Sequence, residues 1–123
     1  MDKSLIMIVD DDIAFNDMLA DLLKKLGYDT LQAYGGVQAR DIVVDKKIKP
    51  KLILCDIKMP DMSGLDFVRE NRVHNLKLKI CMLTGLIDKS ALLESLQLGA
   101  VDFFTKPIDM TSFADKIDRL LTN

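Results

Sequence analysis

No apolar run in this 123-residue chain approaches the roughly 20 residues that a membrane-spanning helix needs, which excludes such a helix. Cysteine is scarce. Cys55 and Cys81 are the only two, and their spacing fits no metal-ligand motif. Both fall in buried-strand patterns, and a reducing compartment disfavours a disulfide between them. The single histidine, His74, sits among polar residues near a predicted helix end and reads as an exposed bystander, so no Ser-His-Asp or Cys-His arrangement arises. Charge of one sign is also lacking: 17 Lys and Arg against 19 Asp and Glu leave a net charge of −2. That balance makes no electrostatic case for nucleic acid or an anionic membrane as the main partner. Met1-Asp2-Lys3-Ser4 lead straight into a strand, with no signal-peptide pattern, so a cytoplasmic location is expected. Repeats and low-complexity tracts are missing too. Gly35-Gly36 lacks the following Gly and Lys of a phosphate loop.

What is present is apolar content of 49%, enough for the core of one domain over residues 1–123. Strand and helix signals alternate five times. Strands are expected at 4–9, 29–33, 52–55, 79–83 and 101–105. Helices are expected at 13–26, 37–47, 64–74, 88–98 and 110–121. In the first helix Phe15, Met18, Leu19, Leu22, Leu23 and Leu26 recur at helical spacing, with Gly27 as a stop. The second should turn Val37, Ile42 and Val43 inward, and the last should bury Phe113, Ile117, Leu120 and Leu121. Continuously apolar strands, rather than alternating ones, indicate a parallel sheet covered on both faces. Right-handed crossovers then give a doubly wound α/β fold, flavodoxin-like or Rossmann-like.

Four short pieces each follow one of these strands: Asp10-Asp11, Asp56, Thr84 and Lys106-Pro107. Ligand chemistry in open parallel sheets collects at the carboxyl ends of the strands. Three carboxylates, a hydroxyl and an ammonium should therefore converge. Asp10-Asp11-Asp12 could serve a helix as an N-cap, but a cap needs only one acid. Two carboxylates about 5 Å apart repel by roughly 3 kcal/mol at an effective dielectric near 20. A divalent cation such as Mg²⁺ would offset that cost. Asp56 alone could be a turn residue, Thr84 a strand residue and Lys106 solvated surface. Together, with Pro60 stiffening the loop after Asp56 and Ser63 capping the third helix, they suit a cation and a phosphoryl group.

The order of an acidic pair, Asp56-Ile57-Lys58-Met59-Pro60-Asp61-Met62-Ser63-Gly64, Thr84-Gly85 and Lys106-Pro107 resembles the receiver domain of two-component response regulators, over residues 3–122. The resemblance implies a flavodoxin-like (βα)₅ fold with a five-stranded parallel sheet in the order 2-1-3-4-5. It implies that Asp56 is the phosphoacceptor, with a phosphoryl group arriving from a sensor histidine kinase or a phosphotransfer protein. Asp10, Asp11, Asp56 and the backbone carbonyl of Lys58 would bind Mg²⁺, or Mn²⁺ in its place, with Asp11 the direct ligand and Asp10 acting largely through water. Thr84 and Lys106 would grip the phosphoryl group. Thr84 and Phe103 would form the switch, with Phe where Tyr is commoner. A cis Lys106-Pro107 bond would aim Lys106 into the site. Lys58 and Leu86 would flank the path of the hydrolytic water, and neither is a good base, so the phosphate should be long-lived. The first helix would offer a kinase-docking patch at Phe15 and Met18.

The same resemblance implies a signalling domain that catalyses only its own phosphorylation and dephosphorylation. Its state would be read by an unnamed downstream target on the face of the fourth helix, fifth strand and fifth helix. It would be a monomer or a weak phosphorylation-dependent dimer, with no direct nucleic-acid or membrane contact. No output segment is expected after the fifth helix. Two rivals stay open here: a small Mg²⁺-dependent phosphatase with an Asp nucleophile, and a binding module of receiver shape that takes no phosphate.

Overall fold

The computed structural model of the chain describes residues 3–85 and 89–122; Leu86 and the expected start of the fourth helix lie outside them. Five strands, β1 (Leu5–Val9), β2 (Asp29–Ala33), β3 (Leu52–Asp56), β4 (Ile80–Thr84) and β5 (Asp102–Thr105), form one sheet in the order β2-β1-β3-β4-β5. Every pairing is parallel. Crossovers are made by α1 (Ile13–Lys25), α2 (Gly36–Arg40) with a π-helical turn at Asp41–Asp45, α3 (Gly64–Val73) and α4 (Lys89–Gln97), and α5 (Met110–Thr122) closes the chain.

Alternate residues of each buried strand serve opposite faces of a pleated sheet. Met7, Val9, Ile53, Cys55, Ile80 and Met82 pack under α2, α3 and α4 against Ile42, Phe67 and Val68. Ile6, Ile8, Leu52, Leu54, Cys81 and Leu83 pack under α1 and α5 against Leu19, Leu23, Phe113 and Ile117. Cys55 and Cys81 therefore point to opposite sides of the sheet and cannot bridge. Burial pushes both thiols up, that of Cys81 to about 12, so both stay protonated and inert.

The helices start and stop where their sequences provide caps. Asp12 Oδ1 accepts the Phe15 N–H at 3.1 Å, and Ser63 Oγ accepts the Asp66 N–H at 3.0 Å. Gly27 and Gly99 take φ of +98° and +116° just past α1 and α4, a region favourable only to glycine.

Four expectations need correction. The buried stripe of α1 is Asn16, Leu19, Ala20 and Leu23; Met18 and Leu26 are exposed, because the helix is rotated to bring Asn16 against the sheet. The second helix is not one regular α-helix over 37–47. Its inward face is Gly36, Ala39 and Ile42, which leaves Val37 48% exposed. The fifth strand starts at Asp102, with Val101 exposed. The last helix buries Phe113 and Ile117 as expected, but Leu120 and Leu121, in its last turn, are only half-buried.

Candidate functional site

The carboxyl ends of β1, β3, β4 and β5 meet at one rim. Asp10 follows β1 and Asp56 ends β3, while Thr84 ends β4 and Lys106 follows β5. The parallel register sets Val9 beside Cys55, Asp56 beside Leu83 and Thr84 beside Thr105. These pairings hold residues far apart in sequence within one small volume. One ligand oxygen each from Asp10, Asp11 and Asp56 lies within 4.8 Å of the others. Three hard oxygen donors at this separation suit a small divalent cation.

Lys106 supplies the positive charge among these acids. Its Nζ stands 2.6 Å from Asp10 Oδ2 and 3.5 Å from Asp56 Oδ1. The backbone holds it: the Lys106 N–H donates to the Thr84 carbonyl at 2.7 Å. The Lys106-Pro107 peptide is cis, as the resemblance implies. Phe15 of α1 lies beneath the ammonium, with its ring centroid 4.6 Å from Nζ, a favourable cation–π geometry.

Electrostatics at the rim follow from burial. Asp10 is fully buried, and its Oδ1 also accepts the Asp12 N–H at 2.9 Å. Burial and then the Asp10 charge push the Asp56 carboxyl up to about 6, against the pull of Lys106. Asp56 is thus mainly ionised at neutral pH, yet more basic than an ordinary aspartate. Burial pushes the Lys106 ammonium down, but its hydrogen bond to Asp10 and the charges of Asp56 and Asp10 outweigh this, and the net shift is upward.

The acidic triplet divides its work: Asp12 caps α1, while Asp10 and Asp11 face Asp56. Lys58 lies two residues past Asp56 in the β3–α3 loop and is exposed. Thr84 is 4% exposed. Beside it lies a cavity of about 320 Å³ lined by Thr84, Lys89, Leu92, Leu93, Leu96 and Phe103.

Several supports went unread in the sequence. Asn16 is buried; its Nδ2 donates to the carbonyls of Asp10 at 3.0 Å and Ala33 at 2.9 Å, and its Oδ1 accepts from Gln32. The available signal was a polar residue three, four and seven positions before Leu19, Ala20 and Leu23. Asp61 accepts the Gly36 and Val37 N–H groups at 3.2 and 3.1 Å, tying the loop after Asp56 to the start of α2. A Cβ at Gly35 would press on that carboxylate, and one at Gly36 on Met62. Close approach, not phosphate binding, explains the Gly-Gly pair. Lys116 of α5 donates to the Phe103 carbonyl at 2.6 Å and pairs with Asp102 at 3.0 Å, pinning the edge strand β5.

The sequence pattern of the response regulator receiver domain matches residues 6–118. Sporulation initiation phosphotransferase F of Bacillus subtilis (strain 168) is 34% identical over 116 residues, which is 94% of this chain and 92% of that protein. Transcriptional regulatory protein ZraR of Escherichia coli (strain K12) is 30% identical over 118 residues, 96% of this chain but 26% of ZraR. Among solved structures, a CheY-like receiver domain protein from Methanospirillum hungatei JF-1 superposes with a TM-score of 0.89 at 28% identity, covering 98% of this chain and 95% of the other. Vibrio cholerae chemotaxis protein CheY4 gives 0.86 at 26% identity, covering 98% and 100%.

Proposed function

This chain belongs to the response regulator receiver domain family, and from that premise we propose that Asp56 accepts a phosphoryl group from a sensor histidine kinase or a phosphotransfer protein. The observation that carries this reading is the position of Lys106 Nζ, 2.6 Å from Asp10 and 3.5 Å from Asp56, in a rim of three converging carboxylates.

An Asp56 oxygen attacks phosphorus in line. The new O–P bond forms as the P–N bond to the donor imidazole breaks, and the imidazole leaves with that electron pair. The carboxylate is ready for this at neutral pH, since its pKa of about 6 keeps it ionised while strengthening it as a nucleophile. Lys106 exchanges carboxylate for phosphoryl oxygen as partner, and the Thr84 hydroxyl donates to a second oxygen. Asp10, Asp11, Asp56 and the Lys58 carbonyl would hold Mg²⁺, or Mn²⁺, which when bound supplies positive charge against the phosphoryl oxygens. As Thr84 moves toward the phosphoryl group, Phe103 turns into the cavity beside it, changing the α4–β5–α5 face that a downstream target reads. This switch is a population shift within one domain.

Donor docking falls to the groove between α1 and the start of α5. Met18 is 43% exposed and Met110 56% exposed, and both line a groove with Asp21, Leu22 and Lys25. Half-buried Phe15 lies under Lys106 and braces the site from below.

Incubation with acetyl phosphate and Mg²⁺, followed by intact-protein mass measurement, tests the reading. One phosphate adduct is expected in the wild type, and none in Asp56→Asn or in excess chelator. An adduct that persists in Asp56→Asn overturns the assignment.

A further inference from the structure

At the opposite end of the sheet from Asp56, the loops entering β3 and β4 are built almost wholly from basic and neutral residues. Residues 46–51 read Lys-Lys-Ile-Lys-Pro-Lys, and 74–79 read His-Asn-Leu-Lys-Leu-Lys, with no carboxylate in either. Because β3 and β4 are neighbours, the two loops lie side by side. The Lys51 N–H bonds to the Leu5 carbonyl at 2.9 Å, and the Ile53 N–H to the Lys79 carbonyl at 2.9 Å. Between the loops is a cavity of about 420 Å³ lined by Lys49, Pro50, Lys51, Lys77, Lys79 and Leu121. That volume is within the range of small-molecule sites.

Backbone conformation sets this concavity apart from an ordinary solvated surface, and no described carboxylate forms an ion pair with Lys49, Lys51 or Lys77 to neutralise it. Among the described residues, moreover, the non-glycine residues with positive φ are Lys47 (+56°), Asn75 (+51°) and Lys77 (+59°). All three belong to these two loops. Lysine is an uncommon occupant of the left-handed region, where Gly or Asn is ordinary. Two lysines there, among several like charges, mean that local conformation and electrostatics both oppose the arrangement. A bound anion would offset the charge repulsion.

We propose that this lysine-lined concavity binds a compact oligophosphate, either a linear phosphate chain or the phosphate tail of a nucleotide. Ammonium groups bind phosphate oxygens as adaptable point charges. Lys79 Nζ donates to the Leu120 carbonyl; the three ammonium groups of Lys49, Lys51 and Lys77 on the same lining favour several phosphates over one. Pro50 and Leu121 give an apolar floor on which a nucleoside could rest. The site lies away from Asp56, so its occupancy is independent of phosphoryl transfer.

Calorimetric titration of the full chain in chelator, at about 0.15 M salt so that long-range attraction is screened, tests the proposal with tripolyphosphate and ATP as probes. Saturable 1:1 binding with Kd below about 1 mM is expected. The double variant Lys49→Gln/Lys77→Gln should bind at least about tenfold more weakly, and Asp56→Asn should bind as the wild type does. Tighter binding of ATP assigns the nucleotide as the source; equal binding assigns the phosphate chain. Lys77→Gly adds a separate readout, because glycine relieves the left-handed backbone: its thermal midpoint should rise while affinity falls. Absence of saturable binding by either probe overturns the site, as does affinity unchanged in the double variant or in a folded Lys77→Gly.

Discussion

Asp56 is held against its own ionisation. Its carboxyl is pushed up to about 6 from an ordinary 3.8, by burial first and Asp10 second. A carboxyl with a raised folded-state pKa adds stability that is fully present below pH 3.8 and is lost as pH rises through about 6. Metal-free Asp56→Asn should therefore be more stable than wild type at about pH 8, by on the order of 3 kcal/mol at roughly 1.4 kcal/mol per unit, and the gap should close near pH 4. Urea unfolding across this range checks it, and a gap that widens toward acid contradicts it. Asn16 makes a second residue-scale case. Leucine there would remove the donor to the Asp10 and Ala33 carbonyls and should cost about 1–3 kcal/mol. It should also slow phosphorylation, since Asp10 loses its backbone anchor. The acids, Thr84 and Lys106 could be found in the sequence because each follows an apolar run. Asn16 was hidden because it falls inside one.

Among the elements, α3 shows how a backbone position governs the site. A Cβ on Gly64 would overlap the Asp56 backbone oxygen and crowd Met82. Gly64→Ala should therefore displace Asp56, lowering the rate of labelling by acetyl phosphate by about tenfold or more, at about 1.4 kcal/mol per factor of ten. A fully folded Gly64→Ala protein with wild-type labelling would remove this role from Gly64. The edge strand β5 depends on α5 through Lys116, whose Nζ also stands 5.2 and 4.8 Å from the ring centroids of Phe103 and Phe104. Lys116→Ala should lower stability by about 1–2 kcal/mol, read as a shift of the urea midpoint at constant slope. The apolar residues of α2 do not set its face; the close approach of Gly36 to Met62 and the Gly36 and Val37 N–H bonds donated to the Asp61 carboxylate do.

At the scale of the molecule, one sheet supports two apolar clusters whose central strands are shared. Ile53→Ala on one face and Leu54→Ala on the other should each cost about 2–5 kcal/mol. Both variants should still unfold in one transition by circular dichroism and calorimetry, because adjacent residues of β3 couple the clusters. Separate transitions would show that the faces unfold independently. The net charge of −2 conceals a polarity along β3 and β4: Asp10, Asp11 and Asp56 gather at the carboxyl-end rim, and lysines crowd the loops that enter β3 and β4. Composition alone therefore gives a poor account of what either end can bind.

The alternation of apolar strands and amphipathic helices was sufficient for the doubly wound class, because burial on both faces leaves continuous apolar runs. Asp10, Asp11, Asp56, Thr84 and Lys106 were legible for the same reason, since parallel strands bring their carboxyl ends to one rim. Tertiary packing decided the rest. The rotation of α1 that buries Asn16 and exposes Met18, the outward turn of Val37, and the opposite orientations of Cys55 and Cys81 depend on pleat and register. The lysine concavity likewise arises where two loops, distant in sequence, enter neighbouring strands. Local sequence specifies which residues prefer helix, strand or cap; which side chains meet across the sheet is set by the register of the assembled chain.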